Sequence, residues 1–138
     1  MIVVDTNVIS ELMRSDPHPR VRAWVERQLP GGLTTTTITV AEIKVGLMRL
    51  PDGTRKTDLS RAAEAVLTRL ADAIYPFDRA CPDAYASIVT TRAALGRPIS
   101  GFDAQIAAIC QVRHAAIATR NVEDFSDIGL EVIDPWRE

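Results

Sequence analysis

Short apolar runs alternate with longer stretches of helical periodicity along this chain. The continuous apolar run at residues 2–4 is typical of a strand that is covered on both faces. The threonine-rich residues 33–37 and the apolar residues 115–119 also predict extended structure. Further short strands are predicted at residues 73–76 and 132–134.

Apolar residues with helical spacing occupy most of the intervals between these strands. Near the C-terminal end of the chain, for example, Phe102, Ile106, Ile109 and Cys110 are predicted to face inward. The predicted helices run over residues 7–14, 19–29, 40–49, 57–71, 83–95 and 100–113, with a single turn at 122–125. Short strands that alternate with longer helices predict one α/β domain, residues 1–138, with a short-stranded parallel sheet and helices on both faces.

Three acidic residues follow predicted strands or open predicted helices. Asp5 comes directly after the first strand, Glu42 lies shortly beyond the second, and Asp103 is in the first turn of a helix. In open α/β sheets, ligands bind beyond the carboxyl ends of the strands. Carboxylates gathered there would repel one another unless a cation joined them, so these residues predict a site for Mg²⁺ or Mn²⁺. Thr6 and Asn7 are candidates to orient the carboxylates or a bound water.

The same acids also fit helix caps. Residues 39–42 and 100–103 match a capping box, in which the acid binds amides of its own helix. Asp5 is itself a favoured N-cap residue. Farther along, Asn121 and Asp124 follow a predicted strand and are candidates for a fourth metal ligand, or else for local caps of a turn. The sequence leaves the two interpretations open.

The composition of the chain excludes fewer functions than its motifs do. The formal net charge is −2, and arginine supplies nearly all of the positive charge. Arg97 and Arg120 lie next to the acidic segments and are candidates to contact phosphate groups or a carboxylate of a partner protein, or else ordinary surface charge. Cys110 is predicted to be a buried small hydrophobe. No apolar run approaches the roughly 20 residues that span a bilayer, so we expect a cytoplasmic protein without membrane contact.

Several segments, in order along the chain, together resemble the PIN-domain ribonucleases. The opening Met-Ile-Val-Val-Asp5-Thr6-Asn7 is followed by Thr39-Val-Ala-Glu42, by Ser100-Gly-Phe-Asp103-Ala-Gln-Ile and by Thr119-Arg-Asn121-Val-Glu-Asp124. Within that family the chain is similar to the VapC toxins of bacterial type II toxin–antitoxin pairs, especially the FitB-like subgroup. The closing Val132-Ile-Asp-Pro135-Trp136 fits as well, and the resemblance covers the whole chain.

The resemblance implies a Mg²⁺- or Mn²⁺-dependent endoribonuclease. It carries Asp5, Glu42 and Asp103 over as the acidic triad, with Asp124 or Asn121 at the fourth position. It also implies a homodimer and a cognate VapB-type antitoxin whose C-terminal tail blocks the pocket. Leu47, Leu50 and Leu67 are then candidate antitoxin contacts, although such a helical stripe is more often core.

Other functions are compatible with this family. A PIN nuclease for RNA processing would not need an antitoxin, and a degenerate PIN module would bind RNA or protein without cleaving it. An acid-rimmed α/β domain is also typical of phosphoacceptor receivers. Receivers need a paired acid after the first strand and a lysine after the last strand, and this chain has neither.

Overall fold

The strands and helices of a computed structural model, which describes residues 1–70 and 73–138, follow the predicted order. The strands are β1 (Ile2–Val4), β2 (Leu33–Thr34), β3 (Ala116–Ala118) and β4 (Val132–Ile133). The helices are α1 (Thr6–Leu12), α2 (Pro19–Gln28), α3 (Thr37–Met48), α4 (Thr54–Arg69), α5 (Pro82–Ala94) and α6 (Gly101–Val112). A 3₁₀ turn, Val122–Phe125, lies between β3 and β4.

The four strands form one parallel sheet in the order β2-β1-β3-β4. Because β1 lies in the middle of the sheet and β3 beside it, Asp5 and Thr119 leave the sheet at the same edge. The backbone N–H of Asp5 continues the ladder by donating to the carbonyl of Ala118 at 2.9 Å. Parallel pairing thus brings distant parts of the chain to one edge of the sheet.

Successive residues of β1 point to opposite faces, and each face has its own core. Val3 and Ile117 pack with α5 and α6, whereas Val4 and Ala118 pack with the helices of the first half of the chain. The predicted α/β fold with helices on both faces is therefore confirmed. Cys110 is buried in the first core, as expected.

Two predictions about the fold are wrong. Residues 73–76 do not form a strand, because Tyr75 makes only an isolated bridge to Thr36. Phe102 does not face the core, since its side chain is 59% exposed. It lies in the first turn of α6, where it borders a shallow surface cavity with Val45 of α3. The predicted end of the fourth helix, Ala71, lies outside the described residues.

Among the described residues, no helix has both the length and the apolar character needed to cross a membrane.

Candidate active site

The three predicted acids lie together in one cavity at the carboxyl edge of the sheet. Asp5 comes from the end of β1, Glu42 from α3 and Asp103 from α6. The cavity has a volume of about 510 Å³. It is lined by Asp5, Thr6, Asn7, Ser10, Glu11, Arg14, Glu42, Asp103, Arg120, Asn121 and Trp136.

Asp5 is both the N-cap of α1 and the most buried of the three acids, with only 5% of its surface exposed. Its Oδ1 accepts a hydrogen bond from the backbone N–H of Thr6 at 2.8 Å. Its Oδ2 accepts from the hydroxyl of Thr119 at 2.8 Å and from the amide of Asn7 at 3.4 Å. Burial raises the pKa of Asp5, and these hydrogen bonds from Thr119 and Thr6 oppose the rise.

Glu42 does not cap its helix. The N-cap of α3 is Thr36, whose hydroxyl accepts from the backbone N–H of Thr39 at 3.1 Å. The helix therefore begins three residues before the predicted residue 40, and Glu42 lies in its second turn, beyond the unpaired amides. The capping-box interpretation of residues 39–42 is wrong. Burial, followed by the negative charges of Asp5 and Asp103, raises the pKa of Glu42.

Asp103 lies in the first turn of α6, where only part of the predicted cap is formed. The hydroxyl of Ser100 accepts from the backbone N–H of Asp103 at 3.2 Å. Among the described residues, the Asp103 carboxylate makes no return bond to the backbone N–H of Ser100. Burial raises the pKa of Asp103, and the charges of Asp5 and Asp124 raise it further.

Asp5, Glu42 and Asp103 form a negatively charged wall of the cavity, here called the acidic wall, but they do not form a complete set of metal ligands. In the described part of the chain, no three His, Cys, Asp or Glu side chains are close enough together to hold a metal ion as they stand. A neighbouring oxygen, the buried hydroxyl of Thr6, makes no hydrogen bond within the part of the chain that the structure describes. It lies close enough to Glu42 to lower the pKa of that carboxyl. Carboxylates that raise one another's pKa in a cleft are typical of functional sites.

The remaining predicted residues lie at different distances from this wall. Asn121 lines the cavity, while Asp124 lies in an adjacent surface cavity beside Glu123. The charge of Asp124 nevertheless raises the pKa of Asp5, so the two carboxyls are electrostatically coupled. Both remain candidates for the fourth position.

The two predicted arginines differ in their surroundings. Arg120 lines the acidic cavity, and its guanidinium lies over the ring of Trp136, 5.1 Å from the ring centroid. Arg97 does not line the cavity; its guanidinium pairs with the carboxylate of Asp127 and donates to the hydroxyl of Ser126. Of the two, only Arg120 is positioned to contact a molecule bound next to the acids.

Sequence reasoning missed several residues of the cavity. Ser10, Glu11 and Arg14 lie three, four and seven residues after Asn7, so they share one face of the first helical segment. That polar stripe at helical spacing was a usable signal. Trp136, which sequence reasoning named only as part of the closing segment, also lines the cavity.

Arg92 is a further missed residue, because its sequence context gives no sign of its role. It is only 4% exposed, and its guanidinium donates to the carbonyls of Arg97 at 2.7 Å, Asp124 at 2.8 Å and Ser126 at 3.3 Å. Its charge lowers the pKa of Asp103, opposing the effect of burial. Arg92 therefore supports the loop that carries Asp124 and lies close to the acidic wall.

Comparison with known proteins identifies the family. The PIN-domain family profile matches residues 2–130. A VapC ribonuclease, Y4jK of Sinorhizobium fredii, is 39% identical over 137 residues, which cover 99% of this chain and 98% of that protein. Toxin FitB of Neisseria gonorrhoeae is 34% identical over 139 residues, which cover both chains completely.

Solved structures agree with these matches. The crystal structure of FitAcB from Neisseria gonorrhoeae superimposes with a TM-score of 0.91 at 34% identity, covering 100% of both chains. VapBC-5 of Mycobacterium tuberculosis, described as a member of the VapBC family of toxin–antitoxin systems, has a TM-score of 0.66 at 25% identity and 95% coverage of each chain. The chain therefore belongs to the PIN-domain family, and its relatives there include VapC ribonucleases and the toxin FitB.

Proposed function

We propose that this protein is a metal-dependent endoribonuclease that acts as the toxin of a VapBC-type toxin–antitoxin pair. One observation carries the proposal: three carboxylates from separate elements of a PIN domain line a single cavity. Similarity to a VapC ribonuclease and to FitB supports the RNA substrate and the toxin role. The presence of all three acids in the cavity disfavours a degenerate, non-catalytic module.

The donor chemistry of the cavity suits a hard divalent cation such as Mg²⁺ or Mn²⁺, although the three carboxylates would have to move closer together to share one ion. Their donors are carboxylate oxygens, which these ions prefer, and the buried Thr6 hydroxyl makes no hydrogen bond within the described residues. Asp5, Asp103 and Glu42 would hold the ion, with Asn121 or Asp124 as the fourth candidate. When bound, the ion would offset phosphate charge and lower the pKa of a water molecule.

The carboxylates of the cavity would have different roles in the reaction. Asp5 is held in one orientation by Thr119 and Asn7, so it presents a fixed carboxylate to the cavity. Glu42 is only half-buried, so its carboxylate is accessible from the cavity. It would position the attacking water or share in holding the ion. In the proposed reaction, water attacks the phosphorus atom and the bond between phosphorus and the 3′ oxygen breaks. The products carry a 3′-hydroxyl and a 5′-phosphate.

The experiment compares Asp5→Asn with the control Asp16→Asn, in which the replaced carboxylate is 94% exposed and does not line the acidic cavity. We expect Asp5→Asn to abolish RNA cleavage and Mn²⁺ binding by calorimetry while the melting temperature is retained, because asparagine can still cap α1. The control should behave as wild type. Full cleavage by Asp5→Asn, or by wild type in excess chelator, would refute the mechanism.

We also propose that the antitoxin occupies a groove between α1 and α4. This groove has a volume of about 860 Å³, and half of its lining residues are apolar, including Leu12, Leu59 and Val66. Arg14 lines both the groove and the acidic cavity, so a segment lying in the groove could reach the acids. Ala65→Arg should weaken binding of the product of an adjacent gene, whereas Ala86→Arg on α5 should not.

We also propose that the protein forms a homodimer. Val45, Met48 and Phe102 are large apolar side chains that remain exposed on α3 and α6. Phe102→Asp should lower the molecular mass measured by light scattering. Leu95→Asp, at a similarly exposed position at the end of α5, should leave that mass unchanged. A larger complex with antitoxin and the cytoplasmic location stay predictions.

A further inference from the structure

One wall of the acidic cavity is basic and aromatic. Arg14, Arg120 and Trp136 line it, and the buried Glu11 connects two of them. One carboxylate oxygen of Glu11 accepts from the guanidinium of Arg14 at 3.0 Å, and the other accepts from the indole N–H of Trp136 at 3.4 Å. Only 8% of the Glu11 surface is exposed, so these two bonds fix the indole relative to α1.

Arg120 is held at both its backbone and its side chain. Its backbone N–H donates to the side-chain oxygen of Asn7 at 3.1 Å, and the amide of the same asparagine donates to Asp5. A single side chain thus sets the position of the Arg120 backbone relative to Asp5. At the other end, the guanidinium lies over the face of Trp136 at 5.1 Å from the ring centroid. Arg120 is therefore fixed relative to the acids.

The charge of Arg120 remains available to a ligand. Among the described residues, it forms no ion pair with a carboxylate, whereas the nearby Arg97 and Arg14 do. Stacking on an aromatic ring uses the face of a guanidinium and leaves the N–H donors on its edge free. Those donors form a planar fork that matches two oxygens of a phosphate.

We propose that Arg120 binds a phosphate of the RNA backbone beside the acidic wall, and that Trp136 and Glu11 are positioning residues that act through it. This inference rests on the proposed ribonuclease function. The acids repel a phosphodiester, so a fixed positive charge in the same cavity favours binding of the RNA backbone there. Trp136 reduces the rotamer freedom that Arg120 would otherwise lose on binding.

The test measures binding of a short fluorescein-labelled single-stranded RNA of mixed sequence by fluorescence anisotropy, over a range of salt concentrations. The full chain carries Asp5→Asn, so that cleavage does not interfere. We expect Arg120→Met to weaken binding about tenfold at low salt, as for the loss of a charge-assisted hydrogen bond. The slope of log affinity against log salt should fall by about 0.7, the value for one phosphate contact with a single strand.

The chain offers a matched control in Arg113, whose guanidinium stacks on Tyr75 at 4.8 Å from the ring centroid and lies at the far end of α6. Arg113→Met also removes a stacked arginine, one that pairs with Asp78, and should leave RNA affinity and its salt slope unchanged. Equal behaviour of the Arg120 and Arg113 variants would overturn the proposal. So would an Arg120→Met variant that binds RNA normally but binds the antitoxin more weakly, since that assigns Arg120 to a protein carboxylate.

The role of Trp136 is tested by a double-mutant cycle. Trp136→Leu should weaken RNA binding when Arg120 is present and have no further effect after Arg120→Met. Trp136→Phe keeps a ring but loses the bond to Glu11, so its effect should be intermediate. Additive losses would overturn the positioning role. Cleavage of the same RNA by the chain with Asp5 intact is scored separately, so Arg120-dependent binding without cleavage counts against the ribonuclease and not against the phosphate contact.

Discussion

The hydroxyl of Thr119 donates a hydrogen bond of 2.8 Å to Oδ2 of Asp5, joining residues that are 114 positions apart. The same hydroxyl accepts from the amide of Asn7 at 3.2 Å and from the backbone N–H of Asn121 at 3.1 Å. One buried threonine therefore connects the loop after β3 to the acid after β1. Loss of this hydroxyl is therefore expected to change both the orientation and the proton affinity of Asp5.

Thr119→Val is predicted to destabilise the protein and to raise the pKa of Asp5 further. Valine has the shape of threonine but leaves the Asn121 N–H without its partner and Asp5 without one of its donors. Such losses cost about 1–3 kcal/mol of the free energy of unfolding, to be measured by urea denaturation. Thr119→Ser retains the hydroxyl and is the control. Equal stability of the two variants would show that the hydroxyl is not needed.

Glu42→Gln is predicted to leave the free energy of unfolding unchanged or slightly increased, because it removes a negative charge beside Asp5 and Asp103. It should nevertheless weaken Mg²⁺ or Mn²⁺ binding. Thr36→Ala is the contrasting variant, since Thr36 caps α3; it should cost about 1 kcal/mol. Thermal melts and calorimetry of both variants check this. A large loss of stability in Glu42→Gln would restore a capping role for that residue.

The stability of the metal-free protein is predicted to depend on pH through the acidic wall. The pKa values of Asp5, Glu42 and Asp103 are raised above their ordinary values of 3.8 for aspartate and 4.5 for glutamate. The folded protein therefore holds these protons more tightly than the unfolded chain does. This stabilisation of the folded state is complete when the pH is below the ordinary pKa values. It is lost as the pH rises through the raised pKa values of the folded protein.

Asp5→Asn removes one of these groups, so its stability relative to wild type should improve as the pH rises from about 4 to neutrality. Urea unfolding of both proteins in excess chelator measures the difference, which cancels the contributions of the other carboxylates. A difference that does not vary with pH would contradict the predicted shift.

Both cysteines are predicted to be unreactive in the native protein. Cys81 and Cys110 are buried, and burial raises the pKa of Cys110 to about 12, with a further contribution from the charge of Asp5. The reactive thiolate is therefore absent at neutral pH. An aromatic disulfide reagent should label neither thiol until urea is added, whereas Ser15→Cys, at an exposed position, should react at once. Rapid labelling of native wild type would contradict the buried placement.

Arg92→Met is predicted to cost about 2 kcal/mol of the free energy of unfolding, because it leaves the carbonyls of Arg97, Asp124 and Ser126 without the donor that the buried guanidinium supplies. Arg92→Lys keeps the charge but lacks the planar guanidinium, so its free energy of unfolding should lie between those of wild type and Arg92→Met. Chemical denaturation measures both variants. Equal stability of Arg92→Met and wild type would mean that water replaces the guanidinium.

The sequence by itself determined the order and type of nearly all elements. Local patterns suffice for this, because the apolar run of residues 2–4 and the helical spacing around Ile106 depend only on neighbours along the chain. The positions of Asp5 and Glu42 after strands, and of Asp103 in the first turn of a helix, also predicted that they would meet, since strand ends and helix starts share one edge of a parallel sheet. The start of α3 was missed because four consecutive threonines, residues 34–37, offered several equivalent caps.

Only the tertiary structure decided which groups surround the acids. The contacts of Arg120 with Trp136, of Trp136 with Glu11 and of Arg92 with the carbonyl of Asp124 join residues from separate elements, so no local spacing encodes them. The burial that raises the pKa of Asp5 is likewise a property of the packed sheet and helices. Phe102 shows the converse: helical spacing predicted an inward side chain, but this residue lies in the first turn of α6 and its side chain remains exposed beside Val45 of α3.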